Sequence, residues 1–179
     1  QRTQPLPMYD VIQTFYAYNT WATEQLIEAM KTLSPEEYAT VEASGHGPIR
    51  DTFAHFLSVQ WRWFSWFDGS LPPAEAITQT VPAEEVDTVE RAAVRWHAID
   101  EQTRQCIERL DDEQLGEVWS WEFPNGSTAG LPLWQLILHV ANHQTHTRAQ
   151  IVAAVRRAGH NPGVYELLHY AMAQAKASP

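Results

Sequence analysis

Cysteine, methionine and positive charge are scarce in this chain of 179 residues, which has one Cys, three Met and only 12 Lys and Arg. A solitary thiol, Cys106, excludes an internal disulfide framework and suits a reducing compartment, so a cytoplasmic location is expected. Cys106 falls within a helical pattern, where a free Cys is expected as a buried small hydrophobe rather than a nucleophile. No apolar run approaches the roughly 20 residues that a membrane span requires, so a membrane is not an expected partner. The N-terminus lacks the charged and then apolar order of a secretion signal, although a chain starting at Gln1 leaves room for a removed segment. With 22 Asp and Glu the net charge is −10. The basic residues are scattered, so no concentrated surface is available to displace counterions and nucleic acid is not expected as a partner. A phosphate-binding loop is missing too, because Gly45-His46-Gly47-Pro48 has neither the Lys nor the preceding strand, and no serine nucleophile elbow occurs.

What is present is ordinary globular material, 44% hydrophobic and 19% charged, in a length that suits a single domain over residues 1–179. Apolar positions recur every three to four residues at Val11, Ile12, Phe15, Tyr18, Ala22, Leu26 and Met30, predicting a helix over about 7–33. Ser34-Pro35-Glu36-Glu37 has the form of an N-cap, a first-turn proline and first-turn acids, opening a short helical turn. A second long helix is expected from Pro48 or Ile49 to Phe67, closed by Asp68-Gly69, and residues 70–82 are expected as a loop. A third runs over 83–110, a fourth over 133–158, and a shorter one over 164–176. Between the third and fourth, residues 116–131 alternate and then turn at Pro124-Asn125-Gly126, which predicts a hairpin or extended lid. Four long helices with intervening loops predict an all-α, four-helix bundle with a short C-terminal helix.

Histidine is the feature most able to carry chemistry. His139, His143 and His146 stand at i, i+4 and i+7 in the fourth long helix, forming one stripe. Imidazole is the commonest metal-ligating side chain, so a metal site is the first functional hypothesis. Buried, hydrogen-bonded core histidines are the alternative. A bundle site draws on facing helices, and the second helix offers His55 in an apolar segment, one turn after Asp51. Three protein nitrogens with a vacant position would make a catalytic site. His46 is expected to be a solvated turn residue, and His97 and His169 have no partner at ligand spacing. Of the eight tryptophans, Trp61, Trp63 and Trp66 form one group and Trp119, Trp121 and Trp134 another. They suit either core filling or the wall of an apolar pocket.

In the order and spacing of several segments the chain resembles the DinB/YfiT-like superfamily of four-helix-bundle proteins. The segments are Tyr18-Asn19-Thr20-Trp21-Ala22, Ile49-Arg50-Asp51-Thr52-Phe53-Ala54-His55, Trp66-Phe67-Asp68-Gly69, His139 to His143, Arg148-Ala149-Gln150, Ala158-Gly159 and Tyr165-Glu166-Leu167-Leu168. The resemblance covers nearly the whole length and implies an up-down-down-up bundle. It also implies a divalent ion, zinc or nickel, held by one His of the second helix and two of the fourth, the last just before an Arg. Carried onto this chain, those positions are His55, His143 and the residue before Arg148, which is Thr147. A Thr hydroxyl is a poor ligand for such an ion. Three outcomes stay open: His146 turns inward as the replacement, His139 does so, or the site is empty; His55, His143 and His146 form the favoured set. The resemblance further implies thiol-dependent transfer or isomerisation with a low-molecular-weight cosubstrate such as bacillithiol or mycothiol, and a homodimer. Arg148 is then expected to steady an anionic cosubstrate or substrate, or alternatively to pair with an acid such as Asp51. The competing expectation is a metal-free, noncatalytic, stress-associated binding protein with a degenerate site.

Overall fold

The computed structural model describes residues 7–123 and 125–177; Pro124 of the expected turn lies outside the described residues. The elements in chain order are α1 (Met8–Met30), α2 (Pro35–Thr40), β1 (Glu42–Ala43), β2 (Gly47–Pro48), α3 (Ile49–Phe67), α4 (Pro73–Ala76), a 3-10 turn (Ala83–Glu85), α5 (Val89–Glu108), α6 (Asp112–Gly116), β3 (Val118–Glu122), β4 (Thr128–Pro132), α7 (Leu133–Arg157) and α8 (Leu167–Ala177). The fold is mostly helical, but it is not purely so, because β1–β2 and β3–β4 form two small antiparallel sheets. Among the described residues no helix is long and apolar enough to cross a membrane.

Local chemistry accounts for the ends of these elements. Ser34 and Glu37 form a reciprocal capping box on α2, the Ser34 hydroxyl accepting from the Glu37 amide while the Glu37 carboxylate accepts from the Ser34 amide. At the end of α7, Gly159 adopts φ +90°. The His160 amide then reaches the Val155 carbonyl and the Gly159 amide reaches that of Arg156, the paired bonds of a Schellman stop. Two expectations need correction. The 70–82 loop contains α4, because Pro73 is already set for a first helical turn. The third long helix starts at Val89 rather than Ala83, because the Thr88 hydroxyl caps the Arg91 amide and residues 83–85 form a separate 3-10 turn.

The four long helices pack in a ring, α1 against α7, α7 against α3, α3 against α5 and α5 against α1. Two apolar clusters result. One joins Leu26, Met30, Phe53, Phe56, Leu57, Trp96, Ile151 and Val155; the other joins Ile12, Tyr16, Phe64, Ile107, Leu136, Ile137 and Val140. Buried polar side chains lie along the helices between them, including Asn19, Thr23, Gln60, Thr103, Gln144, Thr147 and Arg148. They answer one another: Asn19 Nδ2 donates to Gln60 Oε1 and Gln60 Nε2 to Thr103 Oγ1. Most of this layer is satisfied in the core, although Gln144, whose Nε2 donates to the Phe56 carbonyl, leaves its Oε1 buried without a partner among the described residues.

Candidate functional site

On α3, His55 faces α7, and its Nε2 lies 3.1 Å from Nε2 of His143. Each imidazole is partly buried. Removal from water, followed for His55 by His46 and for His143 by His55, pushes both side chains down to about 4, so both are neutral at pH 7. Two neutral imidazoles share one hydrogen bond, one nitrogen donating and the other accepting. Nδ1 of His143 is buried without a partner. The proton of His143 is therefore best placed on Nε2, donating to His55, since an unpaired lone pair costs less here than an unpaired N–H.

A third imidazole completes the cluster. His46 stacks on His55 with ring centroids 3.7 Å apart and planes inclined by 15°. The tight turn between β1 and β2 carries it there, made possible by Gly45 and Gly47 at φ +106° and +86°, a backbone that side-chain-bearing residues rarely adopt. Arg157 anchors this hairpin to α7 by donating to the Glu42 carbonyl.

The other expected residues go elsewhere. His146 is exposed and its Nε2 lies 3.2 Å from Gln150 Nε2, so it does not join His55 and His143. His139 stands edge-on to Trp63, with centroids 5.6 Å apart. Thr147 is 1% exposed, within the polar layer. Arg148, also 1% exposed, donates to Asn19 Oδ1 (3.0 Å) and Thr23 Oγ1 (3.2 Å), with Tyr18 OH and Thr145 Oγ1 at 3.5 Å. Asp51 pairs with Arg50 instead. Arg148 is thus an interior residue tying α7 to α1. Cys106 is buried and pushed up to about 11 by burial, which suits a packing role.

The donor set fits a divalent ion at two positions. A nitrogen separation of 3.1 Å corresponds to an angle of roughly 100° at an ion about 2.0–2.1 Å from each nitrogen, close to tetrahedral. The third position is not supplied: among the described residues no group of three or more His, Cys, Asp or Glu is gathered to hold a metal. His143 also lacks an acceptor for the Nδ1 proton it would carry as an Nε2 ligand, so the usual orienting partner is missing.

Beyond the histidines, the facing sides of α3 and α7 lead to an aromatic wall. Trp63 lies 5.7 Å from Trp66, and Trp66 packs at 5.4 Å and 6.1 Å against Trp119 and Trp121 of β3. The β3–β4 pairing, Trp119 opposite Leu131 and Trp121 opposite Ala129, sets those indoles on one face of the hairpin. Trp61 turns away to receive the Arg95 guanidinium 4.5 Å above its ring. A separate groove of about 270 Å³ lies between α1 and α5, lined by Tyr16, Thr20, Asp100 and Arg104; no histidine borders it.

Two residues near the pair carry only weak sequence signals of function. His46 could be suspected only from its flanking glycines. Arg62 was recoverable from spacing, since His55, Arg62 and Trp66 stand at i, i+7 and i+11 on α3.

Comparison with known proteins agrees with the early resemblance. The model of the DinB family matches residues 8–177. Protein DinB of Bacillus subtilis (strain 168) is 27% identical over 158 residues, covering 86% of this chain and 89% of that protein. The crystal structure of a DinB-like protein from Bacillus cereus ATCC 10987 superposes with a TM-score of 0.55 at 21% identity, covering 84% of this chain and 95% of that one. At that identity the superposition speaks for the fold.

Proposed function

The chain belongs to the DinB family, and from that premise we propose that it acts on a small molecule at a two-nitrogen divalent-metal site formed by His55 and His143. The carrying observation is the convergence of the two Nε2 atoms, from separate helices, at 3.1 Å. Both imidazoles are neutral at pH 7, the form that binds metal, so ligation requires no deprotonation. Zinc or nickel are the ions the donor chemistry suits. Such an ion would supply Lewis acidity and lower the pKa of a coordinated thiol, consistent with a thiol cosubstrate and with a chain whose own cysteine is buried.

The chain's residues have separate tasks in this reading. His55 and His143 hold the reactive centre between α3 and α7, the stacked His46 limits rotation of His55, and the tryptophans shelter an apolar substrate from water. With only two protein nitrogens, the ion is held more weakly than by three. A homodimer and the up-down-down-up helix order belong to the same reading.

A second reading is favoured by Thr147 and by the missing third donor: a metal-free binding protein in which the imidazole pair is a hydrogen-bonded remnant. Elemental analysis of untagged protein incubated with zinc or nickel, beside His55→Ala and His143→Ala variants, separates the two. Metal retained by the parent chain and lost from both variants is the expected result. A parent chain without metal would leave the binding protein as the better account.

A further inference from the structure

Arg62 is a cation that the fold leaves without a counter-charge. It lies on the α3 stripe between His55 and Trp66 and is partly buried. Its Nε is buried with no partner, and its remaining contact is a long one, Nη1 to the Ile77 carbonyl at 3.4 Å. The chain has acids in excess, and Arg50, Arg91, Arg95 and Arg104 each pair with one. Among the described residues Arg62 forms no ion pair. The neutral histidines beside it offer no compensation, and Arg62 contributes to holding both of them uncharged. A desolvated guanidinium without an anion is costly, whereas a carboxylate placed in its fork restores both charge balance and hydrogen bonds.

We propose that Arg62 is the anion-recognising residue on the α3 face that carries His55, and that its ligand is a small carboxylate whose aromatic or apolar body rests against Trp63, Trp66 and the hairpin tryptophans. The inference depends on the α3–α7 junction being the ligand site, as in the proposed function, but does not require the ion. Arg148 differs in environment: it is occupied by Asn19 and Thr23 between α7 and α1, whereas Arg62 has no acid partner among the described residues.

The test is a tryptophan-fluorescence titration of chelator-treated protein with phenylacetate and with its uncharged analogue phenylacetamide, for the parent chain, Arg62→Gln and Arg62→Lys. A charge-assisted bond predicts phenylacetate binding about tenfold or more tighter than the amide. Arg62→Gln should lose that preference while leaving phenylacetamide binding unchanged, and Arg62→Lys should keep part of it. Far-UV circular dichroism checks that each variant is folded; should Arg62→Gln unfold, the preference in the parent chain and its reduction in Arg62→Lys decide. Absence of saturable phenylacetate binding, equal affinity for acid and amide, or an undiminished preference in folded variants would overturn the inference. Metal content measured on separate, untreated protein incubated with zinc or nickel keeps the two proposals apart. A parent chain that shows no preference for the acid but retains metal overturns this inference alone, and a parent chain that prefers the acid but retains no metal after incubation with zinc or nickel overturns the ion site alone.

Discussion

Arg148 and Thr147 are neighbours on α7 that are each 1% exposed, and the chemistry of each is decided by what burial permits. The Arg148 guanidinium survives inside because Asn19 and Thr23 accept from it, and Tyr18 lies beneath it with its ring centroid 5.3 Å away. Truncating it leaves a cavity and strands those acceptors. Arg148→Ala is therefore expected to destabilise the fold by about 2–4 kcal/mol, read as a lower urea midpoint, while ligand affinity changes less than in Arg62 variants. Thr147 stands one turn after His143, at the position where the resemblance implied a third ligand. Thr147→His should raise zinc retention above that of the parent chain, at some cost in stability from the larger side chain. Unchanged or lower zinc content in a folded variant would show that this position does not face the ion.

At the scale of elements, the His55–His143 contact joins α3 to α7 and makes their association pH-dependent. Both imidazoles lie at about 4 in the folded chain, below the ordinary 6.5 of the unfolded one. Between those values the unfolded state binds more protons, so stability is full above about pH 6.5 and falls as pH drops toward 4. In the presence of chelator, the urea midpoint should fall between pH 7 and pH 4.5, and the His55→Ala/His143→Ala double variant should show a smaller fall.

The elements themselves were largely legible in the sequence, because a 3.6-residue apolar period, the Ser34-Pro35 cap and the Gly159 stop are local signals. The β3–β4 hairpin followed from alternation at Val118–Glu122. The two-residue strands β1 and β2 could not, being shorter than any periodicity can register. Of the site, His55 and His143 were legible as facing one another only with a bundle assumed. That His146 lies apart from the pair was not legible, because spacing along a helix does not say which edge of the stripe meets the neighbouring helix. The stacking of His46 depends on a tertiary turn, and the isolation of Arg62 on knowing where the acids lie.

Taken whole, the molecule places two apolar clusters on either side of a buried polar layer, with the imidazole pair between α3 and α7 and the aromatic hairpin beyond it. Its net charge of −10, without a concentrated basic run in the sequence, opposes association with phosphate backbones. Fluorescence anisotropy with a labelled DNA duplex at about 0.15 M salt should show no saturable binding, and saturable binding there would contradict that charge argument.

The central claim is that the paired Nε2 atoms of His55 and His143, and not the wider histidine stripe, form the reactive centre. The direct measurement is nitrogen-detected NMR of the histidine side chains during a zinc titration. The account predicts that the Nε2 signals of His55 and His143 shift together and saturate while those of His139 and His146 stay in place. A shift at His146 or His139 in step with His143, or zinc that leaves both Nε2 signals unmoved, would contradict it.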